Sequence, residues 1–522
     1  MRKGFILLLV GLLLIGMTGI IYGEQVSEEE KYGGTLTIAA AKDAYNLDPG
    51  RSNDLPSTAV YDQIYDTLVT FDSQLNIIPH VAESWKSNET GDVWTFNIRK
   101  DIKFHDGEML TSDDVAYSFQ RILDSPEAAS QKKSKIEMIE SIETPDNYTV
   151  VFNLSAPYAP FPGAARQHIV PKHIAKERDL MKNPVGSGPF KFVEWKRDEH
   201  IILERNENYW LKKPYLNRVV FQPIPDGTVA AMSILTGEVD IVEEVLGQTI
   251  PNLKRAPGVS VRTAEGMNYY WIGFRQYGDP YNDVRFRKMV YHSTDMDQTI
   301  ATVFENNTGV RAYTPAAPGT WPRDLEYMKS VALEKDHDKA KELFNELISD
   351  GKMQKDTPIY VRVNEDQIRM KIGEVIVTNL QEIGVNAELE VIEWSAYLDW
   401  VLRSEDPGIY MLGTTPSIVD PDAVFHWLFS TEGHHGGVIL GLDEHKADEW
   451  INQARQSVDR AKREELYLKV GRWAMGEKVL HIPGYHRNTV VAVRDRVHDF
   501  KASPNNLWWL TNHFANVWVE EK

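Results

Sequence analysis

Apolar residues recur along this chain with two different periods, and the switching between them predicts a mixed α/β protein. Residues 35–41 (TLTIAAA) follow Gly33-Gly34 and read as a buried strand. Residues 94–98 and 148–154 alternate, with β-branched and aromatic side chains, so both are predicted strands. Between them Val115, Phe119 and Ile122 recur at i, i+4 and i+7, the stripe of an amphipathic helix. Thr111 is its N-cap and Asp114 stands at the capping-box position, where Asp is shorter than the usual Glu or Gln and makes a weaker box. Residues 190–195 and 200–206 flank a polar loop and predict an antiparallel hairpin.

The second half holds a clearer unit. Residues 357–363 (TPIYVRV) are strand-like, 366–383 place Ile368, Ile372, Val375 and Ile376 on one helical face, and 387–392 return as a strand. Gly384 falls at the C′ position, where left-handed backbone is commonest. Strand, helix, strand at this spacing is a βαβ crossover, so the two strands should be parallel neighbours. A preceding helix over 338–348 turns Ala340, Leu343, Phe344 and Leu347 inward and closes at Gly351. There is no internal repeat, low-complexity stretch or long linker.

Composition narrows the classes. At 522 residues the chain holds three or four domain-sized units at about 150 residues each. Its 76 acidic residues against 57 Lys and Arg give a net charge of −19, which argues against a nucleic-acid surface. With 0 cysteines there is no disulfide, thiolate metal site, cysteine nucleophile or cysteine-linked lipid. Arg2 and Lys3 precede an apolar run over 5–21, and Gly23 ends it before a polar stretch. That is the pattern of a secretory signal peptide over 1–23, cleaved after Gly23. The run also reaches the lower limit for a membrane span, so an uncut anchor is the alternative. The expected location is periplasmic or extracellular.

Catalytic signatures are missing. The nucleophile elbow, the zincin helix, the phosphate-binding loop and the EF-hand pattern do not occur. Gly186-Ser187-Gly188-Pro189 reads as a tight turn feeding a strand, because Pro189 removes a donor that a phosphate nest would want. His426 and His434-His435 lack a carboxylate at helical spacing, so no metal is expected, and no cofactor either. Glu393 and Asp399 could be imagined as a glycosidase pair, but among 76 acids some pair always looks suggestive. Aromatics are abundant, with 14 Trp, 22 Tyr and 18 Phe. They cluster at Tyr269-Tyr270-Trp271, Trp394-Tyr397-Trp400, His426-Trp427 and Trp508-Trp509. Most belong in cores. Trp394, however, follows a strand end at a helix start, where open α/β folds bind ligands.

An ordered series of motifs runs along nearly the whole chain: GGTLTIA (33–39), LDP (47–49), IYDTLVTFD (64–72), PHVAESW (79–85), WTFNIRKDIKFHDGEMLTSDDVAYSFQRIL (94–123), NPVGSGPFKFVEW (183–195), LERNENYW (203–210), GEVDI (237–241) and DVRFRKMV (283–290). With these the chain resembles the family 5 extracytoplasmic solute-binding proteins of bacterial ABC importers, the oligopeptide- and dipeptide-binding type. The resemblance implies an α/β periplasmic-binding-protein fold, type II, of the large three-lobed class, with a hinge between two main lobes. Lobe I would comprise 33–48, 185–275 and 486–522, lobe II 49–184, and lobe III 276–485. The hinge crossovers would lie near 271–275 and 482–486. A solute caught between lobes I and III would be delivered to membrane permease subunits, by a protein acting as a monomer.

The same resemblance bears on the ligand. Peptide binders of this family hold the ligand's amino terminus with an Asp four residues before the Pro of an acidic-Pro pair, and the matching position here is Ser417. Positions where some members carry a base for the ligand carboxylate correspond to Val401 and Met411. Lost charges beside plentiful aromatics favour a neutral oligosaccharide, with an oligopeptide as the alternative and a secreted glycan hydrolase as the reading from another class. A two-residue shift would make Asp420 the amine anchor. The candidate ligand-binding residues are Asn46, Tyr270, Trp271, Trp394, Tyr397, Trp400, Thr414, Thr415, Ser417, Asp420 and Trp427.

Overall fold

The computed structural model describes residues 27–521, apart from 73–74, 318–319, 323–324, 417 and 505–513. The leader predicted over 1–23, Ser417 and Trp508-Trp509 lie outside the described residues.

A seven-stranded sheet forms around Thr35–Ala40, whose Leu36 and Ile38 are fully buried. This strand pairs in parallel with Arg218–Pro223 on one side and Ile241–Val242 on the other. The hairpin Phe190–Lys196 and His200–Arg205 closes one edge antiparallel, with Phe190 opposite Arg205. The glycines before it are explained by close packing. A Cβ on Gly186 would sit 2.1 Å from the Ile64 carbonyl oxygen, and one on Gly188 2.7 Å from the Ile64 carbonyl carbon. Only glycine allows that approach. At the other edge, Thr489–Arg494 and Val259–Ala264 pair antiparallel.

A six-stranded sheet contains the βαβ unit. Ile359–Asn364 runs parallel to Ala387–Ile392, with Ile359 opposite Ala387. Between them Gln367–Glu382 is helical, capped by Asp366, which accepts the Arg369 N–H at 3.0 Å. Gly384 follows with φ +95°. The helix buries Ile372, Gly373, Ile376 and Leu380 and leaves Ile368 and Val375 half-buried. That buried face is turned slightly from the apolar stripe because Gly373 brings the backbone to the sheet. A Cβ there would meet Leu389 at 2.6 Å. The helix His337–Ser349 buries Ala340, Leu343, Phe344 and Leu347, as its spacing predicts.

A four-stranded antiparallel sheet orders Ala82–Ser87, Val93–Ile98, Thr149–Leu154 and Ile139–Asp146. Against it packs the helix Ser112–Asp124. The short Asp114 serves its capping box, taking the Thr111 N–H at 2.9 Å and the Thr111 hydroxyl at 3.0 Å.

The chain passes from the seven- to the six-stranded sheet between Val259–Ala264 and Tyr269–Arg275, and returns between His481–Arg487 and Thr489–Arg494. The positions expected for these crossovers, 271–275 and 482–486, instead lie inside strands. Ile272 pairs with both Met411 and Ile482. Those positions follow from the family resemblance; the polar breaks Glu265-Gly266 and Asn268, and Arg487-Asn488, mark where the chain changes sheet. Asn268 stitches the two crossovers together: its side chain takes the Arg487 N–H at 2.7 Å, and its carbonyl takes the His486 Nδ1–H at 2.6 Å.

Candidate functional site: the cleft beside the crossovers

Between the seven- and six-stranded units lies a cleft of about 890 Å³. That is within the range of roughly 300–1,000 Å³ typical of ligand sites. Glu243, Glu244, Leu246 and Gln248, from the segment after Ile241–Val242, form the wall on the seven-stranded side. Glu305, Gln367, Ile368 and Lys371 form the wall on the six-stranded side. Asn268, Tyr270, Arg487 and Asn488 line it at the crossovers, and Thr415 lines it after the strand Gly408–Thr414.

The aromatic in this cleft is Tyr270. Its ring stacks on Tyr485 with centroids 4.6 Å apart, and the Arg369 and Arg487 guanidiniums lie 5.8 and 5.5 Å from its centre. Gly413 on the neighbouring strand leaves room for it, since a Cβ there would come within 2.3 Å of Tyr270 Cδ1. The two walls differ in charge. Glu243 is buried and accepts the Ala41 N–H at 2.7 Å; burial, with the Glu244 charge beside it, pushes its pKa up to about 7. Glu244 is exposed. Across the cleft Arg487 pairs with Asp366 at 2.8 Å, whereas Lys371, exposed on the second turn of its helix, has no carboxylate within 4.0 Å among the described residues. The first turn of that helix also lines the cleft, and its backbone dipole adds positive potential there.

Of the residues named from the sequence, Tyr270 and Thr415 line this cleft. Trp271 and Tyr397 are interior instead, at 1% and 0% exposure. The Tyr397 hydroxyl donates to the Met411 carbonyl at 2.6 Å, so this ring is a brace between helix and sheet. Trp394 is 43% exposed, stacked on Tyr397 with the Arg369 guanidinium 5.5 Å from its ring, and does not line the cleft. Trp400 packs under Arg362 at 4.7 Å and donates its indole N–H to the Asp406 carbonyl. Trp427 lies edge-on to Trp271, with centroids 5.9 Å apart. Asn46 is buried and caps its own loop through the Asp48 N–H, and Thr414 is half-buried at its strand end. Asp420 is closed off by Arg463, with N–O distances of 2.6 and 2.9 Å, and the two side chains are only 8% and 7% exposed.

Other sequence candidates also have structural work. Glu393 caps the helix Trp394–Arg403 through the Ser395 and Ala396 N–H groups, and Asp399 pairs with Arg403 at 2.6 Å. His434 is exposed, but His435 is fully buried, contrary to the solvated loop its glycines suggest, and bonds the Tyr410 hydroxyl at 2.6 Å. No group of three or more metal-ligating side chains forms among the described residues. Sequence reasoning passed over Glu243, Glu244, Lys371 and Arg487. A signal was present for the first two, which begin two residues after the GEVDI motif ends at Ile241.

Two sheet units joined by paired crossovers, with a charged cleft at the joint, define a periplasmic-binding-protein fold. Residues 76–436 match the model of the bacterial extracellular solute-binding proteins, family 5 middle region, and the chain belongs to that family. The oligopeptide-binding protein AppA of Bacillus subtilis is 27% identical over 516 residues, 92% of each chain. Heme-binding protein A of Haemophilus influenzae is 27% identical over 474 residues, 85% of each chain. The periplasmic binding protein DppA from Helicobacter pylori, solved with the peptide STSA, aligns with a TM-score of 0.75 at 28% identity, covering 95% of this chain and 99% of its own. The protein is therefore an extracytoplasmic solute-binding protein of the ABC-importer type, a binding protein and not a glycan hydrolase. Among the described residues no helix is long and apolar enough to cross a membrane.

Proposed function

We propose that this protein captures short peptides in the cleft beside its crossovers and presents them to the permease subunits of an ABC importer. The observation that carries the reading is the cleft's charge: Glu243 and Glu244 on one wall, and Lys371 and Arg487 beside Glu305 on the other, suit a ligand charged at both ends. AppA is named as an oligopeptide-binding protein and DppA was solved with the peptide STSA, which supports the same class.

The sequence argument for an oligosaccharide rested partly on uncharged Val401 and Met411. Both are core residues, at 0% and 3% exposure, so their lack of charge says nothing about the ligand. The indoles expected to stack on a sugar lie outside the cleft lining as well. Asn488 lines the cleft, and its Oδ1 is buried without a hydrogen-bond partner among the described residues. Lobes I and III, as assigned from the sequence, would close on the ligand because it touches both walls.

A thermal-shift screen against free short peptides and neutral oligosaccharides tests this. A ligand at 100 times its Kd adds about 2.7 kcal/mol. Stabilisation by peptides alone is expected, and stabilisation by sugars alone would overturn the reading.

A further inference from the structure

Away from the cleft, where the core under the seven-stranded sheet meets that of the four-stranded sheet, the fold encloses more positive charge than it neutralises. Tyr61 and Tyr65 belong to the first core, Ile136 and Ala165 to the second. Lys132, on the short helix Ser130–Lys133, is 5% exposed, and its ammonium lies 5.6 Å from the centre of the Tyr61 ring. That ammonium has no hydrogen bond and no carboxylate within 4.0 Å among the described residues, and the same holds for the half-buried Lys135. Arg166, whose side chain is 12% exposed, reaches Asp62 at 3.4 Å. The same Asp62 oxygen also accepts the Nε2–H of buried His168 at 2.6 Å. His168 Nδ1, on the other side of the ring, is buried without a hydrogen-bond partner among the described residues. Asp48, the next carboxylate that acts on Lys132, is held by Arg121 at 2.6 Å, with Arg51 3.8 Å away. Burial pushes the Tyr61 and Tyr65 hydroxyls up, so neither supplies an anion.

An aromatic face eases the burial of an ammonium without cancelling its charge. Burial, then repulsion from Lys135 and Arg166, pushes Lys132 down to about 7, and burial with Arg166 pushes Lys135 down to about 8. A buried excess of one sign carries a desolvation cost that a counter-ion removes. We infer that Lys132, Lys135 and Arg166 form a site for one small inorganic anion, chloride or an oxyanion the size of sulfate or phosphate, seated between the four- and seven-stranded units. None of the three lines the cleft, so this site is separate from the one that takes the solute. Lys135, the more exposed of the two lysines, stands at its entrance. The bound anion keeps both lysines protonated and strengthens the joint between the two units.

The test uses the full chain in a zwitterionic buffer free of small anions, at about pH 6.5, where both lysines are protonated. The melting midpoint is followed as sodium chloride, sulfate or phosphate is added, with sodium gluconate at equal ionic strength as the reference for general salt effects. At least one small anion should raise the midpoint saturably, by about 2 °C or more beyond gluconate. At about pH 9, where both lysines have lost most of their protons, sulfate or chloride should bind on the order of tenfold more weakly. Lys132→Met should abolish the saturable rise and leave the anion-free midpoint no lower than that of wild type, because Met fills similar space without a buried charge. An anion held by Arg487 and Lys371 in the cleft would still bind that variant. Lys135→Met, at a half-buried position that packs less tightly, is the second variant and should weaken binding about tenfold. Small anions that act no differently from gluconate, or a saturable rise that survives both substitutions, would overturn the inference.

Discussion

Asp420→Asn separates a binding role from a structural one. Asp420 and Arg463 form a two-pronged pair with N–O distances of 2.6 and 2.9 Å, and Asp420 also takes the Asp422 N–H at 2.9 Å. Arg463 is further fixed by donating to the Ala454 carbonyl and by lying 4.8 Å from the Trp321 ring. Burial opposes the Arg463 charge, but Asp420 beside it outweighs that and holds its pKa above the ordinary value. Asn keeps the shape and removes the charge, which leaves the buried Arg463 without its paired carboxylate. Breaking one partner of such a pair costs about 3–5 kcal/mol. At roughly 2–4 °C per kcal/mol for a cooperative unit of 150–250 residues, the unfolding midpoint should fall by about 6 °C or more. The assay is differential scanning calorimetry of both proteins, with peptide affinity measured well below the transition. Affinity should stay within about twofold of wild type, because neither side chain lines the cleft. An unchanged midpoint with a tenfold loss of affinity would refute the structural assignment and restore Asp420 as an anchor. The double variant Asp420→Leu with Arg463→Met should recover part of the loss, because replacing both charges leaves neither one stranded.

Gly413→Ala should weaken peptide binding, because its Cβ would come within 2.3 Å of Tyr270 Cδ1 and move a cleft-lining ring; affinity equal to wild type by calorimetry would refute that route. Trp394→Ala should change affinity less than twofold, since its indole contacts Tyr397 and Arg369 outside the cleft lining; a loss of 1–3 kcal/mol, the scale of a binding hot spot, would place the ligand on that ring. Acid should destabilise the fold through its buried histidines. Burial lowers His435 and His168 to about 3, and His105, His426 and His486 to about 4. Their unfolded value is near 6.5, so below it the unfolded chain binds protons that the fold excludes. Their contribution is full above pH 6.5 and is lost as pH falls toward 4. A melting midpoint that stays flat from pH 7 to pH 4.5 would refute this.

What the chain determined locally was legible in it. The stripe Ala340, Leu343, Phe344 and Leu347, the capping Asp366 and the closing Gly384 all express contacts within one turn or one crossover, where spacing dictates geometry. The ordered motifs carried the family for the same reason, since they report many such local requirements in sequence. The site followed a different logic. Whether Asp420 is a free anchor depends on Arg463, 43 residues further on, and whether Tyr397 faces ligand depends on the Met411 carbonyl on another element. No periodicity announces either partner. The crossover positions implied by the family resemblance fell inside strands, although Glu265-Gly266 and Arg487-Asn488 break the apolar pattern at the true junctions. Glu244 and Lys371 are two exposed charges among many in the sequence, 127 positions apart, and only the packing of the two sheets places them in the same cleft. Local backbone preference and hydrophobic pattern thus set the elements and the fold. The ligand-facing chemistry was decided by which charges the tertiary structure neutralised and which it left exposed to the cleft.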